Sequence, residues 1–230
     1  MEFNLEETLE KIKSHLDFLK LKNVVENING YHDHEDVFTH CVKTANFAIS
    51  ARTGDFITNT FAKEKFMEFM DEKILEMKRK DIAVLVALLH DSGKILSFRG
   101  DEKILTTNTK KPFTDDGTMC PGHEYWGGQI IVKKILKDLN FEKNLIEFIS
   151  RMVELHSIVN DNNYYVSREN WPIEDLVFDV KSKVEGRFIE GLFNAYCDWN
   201  DAPAAEIGIK KIIEIFNTPL LYAKREYFIP

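Results

Sequence analysis

An all-α fold is predicted by three features of the chain. Apolar residues recur at helical spacing along most of it, and convincing period-two alternation is absent apart from the short Tyr164-Tyr165-Val166. The most apolar stretch, Ile82 to Leu89, is the length of a buried helix and too short to span a bilayer. With 230 residues, 44% apolar and 30% charged, the chain has the balance of one globular domain with a substantial core, expected to occupy 1–230 as a single unit.

The elements follow in order. Leu5, Leu9, Ile12, Leu16 and Leu19 form an apolar stripe that predicts a first helix from Leu5 to Leu21, with Asn4 and Glu7 as a capping box. Asp36 is placed to cap a second helix from Val37, and Gly54 to end it. A third amphipathic helix is read from Phe66, Phe69, Met70, Ile74, Leu75 and Met77. Ile82 to Leu89, apolar all round, predicts a helix buried at the centre of the domain, capped by Asp81 and stopping near Ser92-Gly93. Ser97 to Gly122 reads as a long loop, a candidate lid, and Asn160 to Pro172 as a second irregular stretch. Further helices are expected at Glu124–Leu139, Lys143–Leu155, Lys183–Trp199 and Ala204–Phe216.

Composition narrows the partners. The net charge is −8, from 38 acidic against 30 basic residues, so a nucleic-acid surface is not expected, and the cluster of Lys133, Lys134 and Lys137 reads as a solvated face. The three cysteines, Cys41, Cys120 and Cys197, are odd in number and far apart, which argues against a disulfide framework. Met1 to Glu7 lacks the basic start and apolar run of a signal peptide, so a cytoplasmic protein with no membrane partner is expected.

The chemistry is concentrated in a few polar residues on apolar helices. His90-Asp91 ends the most apolar helix, where unpaired polar groups would be costly. His40 lies inside the second helix among Phe38, Val42 and Phe47. His123 opens one helix, His156 ends another, and Asp198 follows Ala195-Tyr196-Cys197 near the end of a third. Each alone reads as a hydrogen-bonded core or cap residue. Four histidines and two aspartates on separate helices are harder to explain by packing, and an imidazole–carboxylate set suits Mn, Fe, Co, Ni or Zn, with Mg as the hard-cation alternative.

The order His40, His90-Asp91, Asp198 resembles that of the HD-domain superfamily of metal-dependent phosphohydrolases. Three stretches carry the resemblance: Asp36-Val37-Phe38-Thr39-His40, Leu88-Leu89-His90-Asp91-Ser92-Gly93-Lys94, and Gly122-His123-Glu124. They are similar to stretches in the HD domain attached to some bacterial tRNA nucleotidyltransferases, and the matching region runs from Asp33 to Ala202. His-Asp alone is a weak motif; the ordered set in these surroundings is specific. Too few residues precede the first motif for a nucleotidyltransferase head, so CCA addition is not expected.

The resemblance implies an HD-like helical bundle with long loops near a metal site. It implies one metal on His40, His90, Asp91 and Asp198, and a second, bridged by Asp91, on His123 and His156, with a metal-activated water attacking phosphorus. Asp91 and Lys94 become the catalytic candidates, Lys94 neutralising a phosphoryl oxygen. Arg187 and Arg151 are candidate phosphate clamps, Glu124 a candidate for orienting a ligand, and His32 and His34 candidates for touching substrate. Trp126, Trp171 and Tyr165 could stack on a base, although aromatics at helical spacing are usually core. The substrate implied is small and phosphorylated, nucleotide-like, and a homodimer is left open. Two other readings stand beside hydrolysis: a di-iron oxygenase acting on a small polyol or phosphonate, and a non-catalytic metal or nucleotide sensor, against which Lys94 and the complete ligand set weigh.

Overall fold

Local caps set the first helices where the sequence places them. In the computed structural model, which describes residues 3–25, 35–97, 120, 122–183, 188–200 and 202–222, the Asn4 side chain accepts from the Glu7 amide at 3.1 Å and starts α1 (Leu5–Lys13). The Asp36 side chain accepts from Thr39 at 2.8 Å and starts α3 (Val37–Ala51), and Gly54, at φ +71°, closes its far end on the Ala51 carbonyl. Between them the expected single helix to Leu21 is broken. His15 takes an extended backbone and accepts from the Asp17 amide, restarting the chain as α2 (Leu16–Leu19) and a 3₁₀ turn, Lys20–Asn23. Leu16 belongs to the apolar stripe by spacing but is 78% exposed.

The third helix is shorter than expected. α4 (Thr60–Asp71) stops before Ile74 and Met77, which face each other across a small antiparallel hairpin of β1 (Lys73–Ile74) and β2 (Met77–Lys78). Its turn holds Leu75 at φ +56°. The central helix is α5 (Arg79–Leu89), and every residue from Ile82 to Leu89 is buried. Asp81 lies in its first turn and pairs with Arg52 at 2.7 Å; the cap position belongs to Lys78, which makes no side-chain cap. α3, α4, α9 (Lys143–Val159) and α12 (Phe188–Asp198) pack around α5. Each fully buried Val or Leu there stabilises the fold by about 1.5–3 kcal/mol, which is why this helix has no polar face.

The remaining chain departs from expectation in three places. After α6 (Lys94–Ser97), the helix expected from Glu124 begins at His123 as α7 (His123–Trp126), widens into a π-helical turn over Gly127–Val132 and returns to α-helix as α8 (Lys133–Asp138). The stretch from Asn160 to Pro172 is not wholly irregular. Asp161 accepts from the Asn163 amide and starts α10 (Asn162–Val166), where Tyr164 and Tyr165 are both buried, as a helix permits and an alternating strand does not. A helix not foreseen, α11 (Ile173–Lys183), precedes α12, and α13 (Glu206–Phe216) completes the bundle. Most of the loop from Ser97 to Gly122, together with His32, His34 and Arg187, lies outside the described residues. Among the described residues the fold is all-α apart from the hairpin and an isolated bridge between Val25 and Asp36, and no helix is long and apolar enough to cross a membrane.

Candidate metal centre

Burial of α5 on every side forces its C-terminal end to emerge inside the protein. His90, Asp91 and Ser92 are therefore buried, and Lys94 with them. The chain escapes through Gly93, against which the backbone of α7 packs so closely that a Cβ there would lie 1.9 Å from the His123 carbonyl and 2.4 Å from the Gly127 amide. That contact brings His123 to Asp91. α3 contributes His40, α9 contributes His156 one turn before its end, and the last residue of α12 is Asp198. All six residues singled out as ligands meet at one centre.

Asp91 divides it in two. Its Oδ2 lies 3.3 Å from His90 Nε2 and 3.7 Å from His40 Nε2, while Oδ1 lies 3.0 Å from His123 Nε2 and 3.8 Å from His156 Nε2. Asp198 Oδ1 joins the first group, 2.7 Å from His40 Nε2 and 3.1 Å from His90 Nε2. Two donor sets, His40–His90–Asp91 and Asp91–His123–His156, have atoms close enough together to hold a metal ion.

The second nitrogen of each imidazole fixes which atom faces inward. Nδ1 of His90, His123 and His156 lies 2.8, 2.8 and 2.6 Å from the carbonyls of Ala87, Cys120 and Val153. A carbonyl only accepts, so each Nδ1 carries a proton and Nε2 is the atom turned into the centre, offering a lone pair wherever the ring is neutral. His40 instead has Glu35 Oε1 at 3.7 Å behind Nδ1. Backbone carbonyls and carboxylates are the usual outer partners of metal-bound histidine.

Two features call for a cation. His90 Nε2 is fully buried and lies 3.1 Å from Asp198 Oδ1 and 3.3 Å from Asp91 Oδ2 without the alignment of a hydrogen bond to either, an arrangement that costs about 1–3 kcal/mol for a group of its kind. His123 and His156 bring their Nε2 atoms within 3.2 Å of each other, where two lone pairs repel unless a proton or metal ion lies between them. The residues thus fit a divalent ion by both geometry and donor chemistry.

The electrostatics are consistent with that demand. Burial opposes charge on His40, but Asp198 and Glu35 outweigh it and hold its pKa up at about 9. Burial likewise opposes charge on His90, yet Asp91 and Asp198 push its pKa well up. Against burial, Lys94 and His90 hold Asp91 well below the usual carboxylate range, and His90 and His40 do the same for Asp198. His156 is the opposite case: burial and the neighbouring imidazoles lower it to about 4, leaving it neutral and able to donate a lone pair.

The other candidates fare unevenly. Lys94 Nζ is 2.7 Å from Asp91 Oδ2, so its charge sits on the shared carboxylate. Glu124 Oε2 lies 3.7 Å from His123 Nδ1, within reach of orienting it electrostatically. Arg151 pairs with Glu154 at 2.7 Å. Tyr165 is core, its hydroxyl bonded to the Val159 carbonyl, and Trp171 is stacked by Arg168. Trp126 is half-buried beside the exposed Tyr125 on the helix that carries His123.

Two contributors escaped sequence reasoning. Glu35 gave no signal, since nothing in its spacing ties it to His40. Asn160, whose Nδ2 donates to Asp198 Oδ2, lies four residues after His156, a helical relation that could have drawn notice. No protein-family model matches the chain, and no curated protein matches it either.

Proposed function

We propose that the chain is a metal-dependent phosphohydrolase of the HD-domain kind, acting on a small phosphorylated, nucleotide-like substrate. The observation that carries this reading is the division of Asp91: one buried carboxylate turns its two oxygens to two separate groups of inward-facing Nε2 atoms. His40, His90, Asp91 and Asp198 would hold one ion, and Asp91, His123 and His156 a second. When bound, divalent ions of this class supply an acidified water and neutralise charge on phosphoryl oxygens. The imidazole–carboxylate donors, without sulfur, suit Mn, Fe, Co, Ni or Zn.

The chain's own residues do the rest. Lys94 keeps Asp91 deprotonated at neutral pH and brings a positive charge to the centre, where a phosphoryl group would need it. The three carbonyl-bound imidazoles cannot turn over without breaking a hydrogen bond, so their lone pairs remain aimed inward.

The test is turnover of p-nitrophenyl phosphate, bis-p-nitrophenyl phosphate and a panel of nucleotides after reloading with Mn²⁺ or Co²⁺, under air and under argon. Hydrolysis that persists under argon and falls at least about 10³-fold in a folded Asp91→Asn variant supports the proposal. Activity that requires oxygen would move the chain to the oxygenase reading. Metal uptake with no turnover of any substrate would favour a sensor.

A further inference from the structure

The two oxygens of Asp198 are treated differently. Oδ1 faces His40 and His90, whereas Oδ2 turns away and accepts a hydrogen bond from Asn160 Nδ2. A carboxylate can bind a metal through one oxygen or two, and a donor fixed on one oxygen leaves the other for the ion.

Asn160 is placed to do this. It follows the last residue of α9 and lies four residues beyond His156, so both leave the same side of the helix end. α9 therefore supplies a ligand to one half of the centre and a hydrogen bond to the carboxylate of the other. The backbone does not demand asparagine there, because φ is −101° and ψ 51°, outside the left-handed region. The amide even leaves its own Oδ1 buried without a hydrogen bond while aiming Nδ2 at Asp198. The cost of the unmet acceptor is offset by the charge-assisted bond that the other end of the same amide gives to a carboxylate.

We propose that Asn160 is a positioning residue of the metal centre, holding Asp198 as a one-oxygen ligand with Oδ1 towards His40 and His90. This rests on the metal reading above. It predicts a role in metal affinity and coordination number separate from any role in folding.

The test is Co²⁺ titration of the full chain, wild type against Asn160→Ala, Asn160→Asp and Asp161→Ala, with a thermal melt of each. Asp161 is the local control, since its side chain caps α10 through the Asn163 amide. In Asn160→Ala the ion on the Asp198 half should bind about 10–100-fold more weakly. Its visible absorption should also weaken, as the second carboxylate oxygen swings onto cobalt and raises the coordination number. Asp161→Ala should leave both unchanged.

Asn160→Asp adds a readout that packing does not move. It sets an anion against Oδ2, so its deficit relative to wild type should widen as pH rises and narrow as the new carboxyl is protonated. Wild-type affinity and spectrum in folded Asn160→Ala, an equal loss in Asp161→Ala, or a deficit of Asn160→Asp that ignores pH would each overturn the inference while leaving the metal centre standing. Failure of the wild type to take up Co²⁺ at all would overturn both.

Discussion

The half of the centre around His40, His90 and Asp198 and the half around His123 and His156 share Asp91 but are built differently. The first combines two carboxylates, with Glu35 behind His40, and stands on α3, α5 and α12, which pack against one another in the core. The second has only the shared carboxylate among its ligands, with Glu124 3.7 Å from His123 Nδ1, and both its imidazoles are held by neutral backbone carbonyls. One of its ligands rides on the four-residue α7, seated against the protein by glycines that run into a π-helical turn. More ligand charge on a stiffer frame binds a divalent ion more tightly, so the first half should fill first and empty last.

Removing what the halves share should have the largest effect. Asp91→Asn takes from the second half its only ligand carboxylate and from the first one of two, and both ions should be lost on dialysis, read by elemental analysis. Retention of either ion would show that Asp91 does not bridge.

Gly93→Ala should separate the halves. A methyl group cannot occupy a place 1.9 Å from the His123 carbonyl, so α7 must move. Overpacking of this kind costs about 1–3 kcal/mol, visible as a lower melting temperature. The second ion should leave while the first remains; loss of both, or of neither, would erase the distinction.

A pH titration sharpens it further. His40, with a folded pKa of about 9, is protonated at neutral pH without metal, and binding must displace that proton. Affinity of the first half should therefore climb with pH through about 9, the raised His90 adding to the same trend. The sign reverses for the metal-free fold: a raised histidine pKa adds stability that is complete below the unfolded value, about 6.5, and disappears as pH passes about 9. The metal-free protein should melt lower at pH 9 than at pH 6.5 by a margin that shrinks in His40→Asn.

The smallest effect belongs far from either half. Asp17, a buried carboxyl held low by Lys134 and Lys20, ties α2 to α8 through Lys134, and both lysines are more than half exposed. Asp17→Asn should cost less than about 1 kcal/mol and leave metal content unaltered. A change in metal content would mean that the frame transmits strain to the centre.

The sequence was readable at the centre and less so around it, for physical reasons. His90-Asp91 stood out because two polar residues closed a helix with no polar face, and the described structure buries them as that conflict requires. Ile74 and Met77 fit a helical stripe by spacing, yet periodicity does not detect a two-residue turn that reverses the chain through Leu75. Leu16 shows the same weakness, since a broken helix changes which face its apolar residues occupy. Glu35 and Asn160 act only through tertiary neighbours, and Gly93 only through the backbone pressed against it. Of these only Asn160, four residues after His156, left a local trace.

The most direct test of the two-ion centre is elemental analysis of metal-reloaded protein, comparing wild type with His123→Ala and Asp198→Ala. A two-ion centre requires about two ions per wild-type chain, about one in His123→Ala, and selective loss of the tighter-bound ion in Asp198→Ala. A wild-type protein that holds no ion after reloading, or a His123→Ala variant that holds as many as wild type, would contradict it.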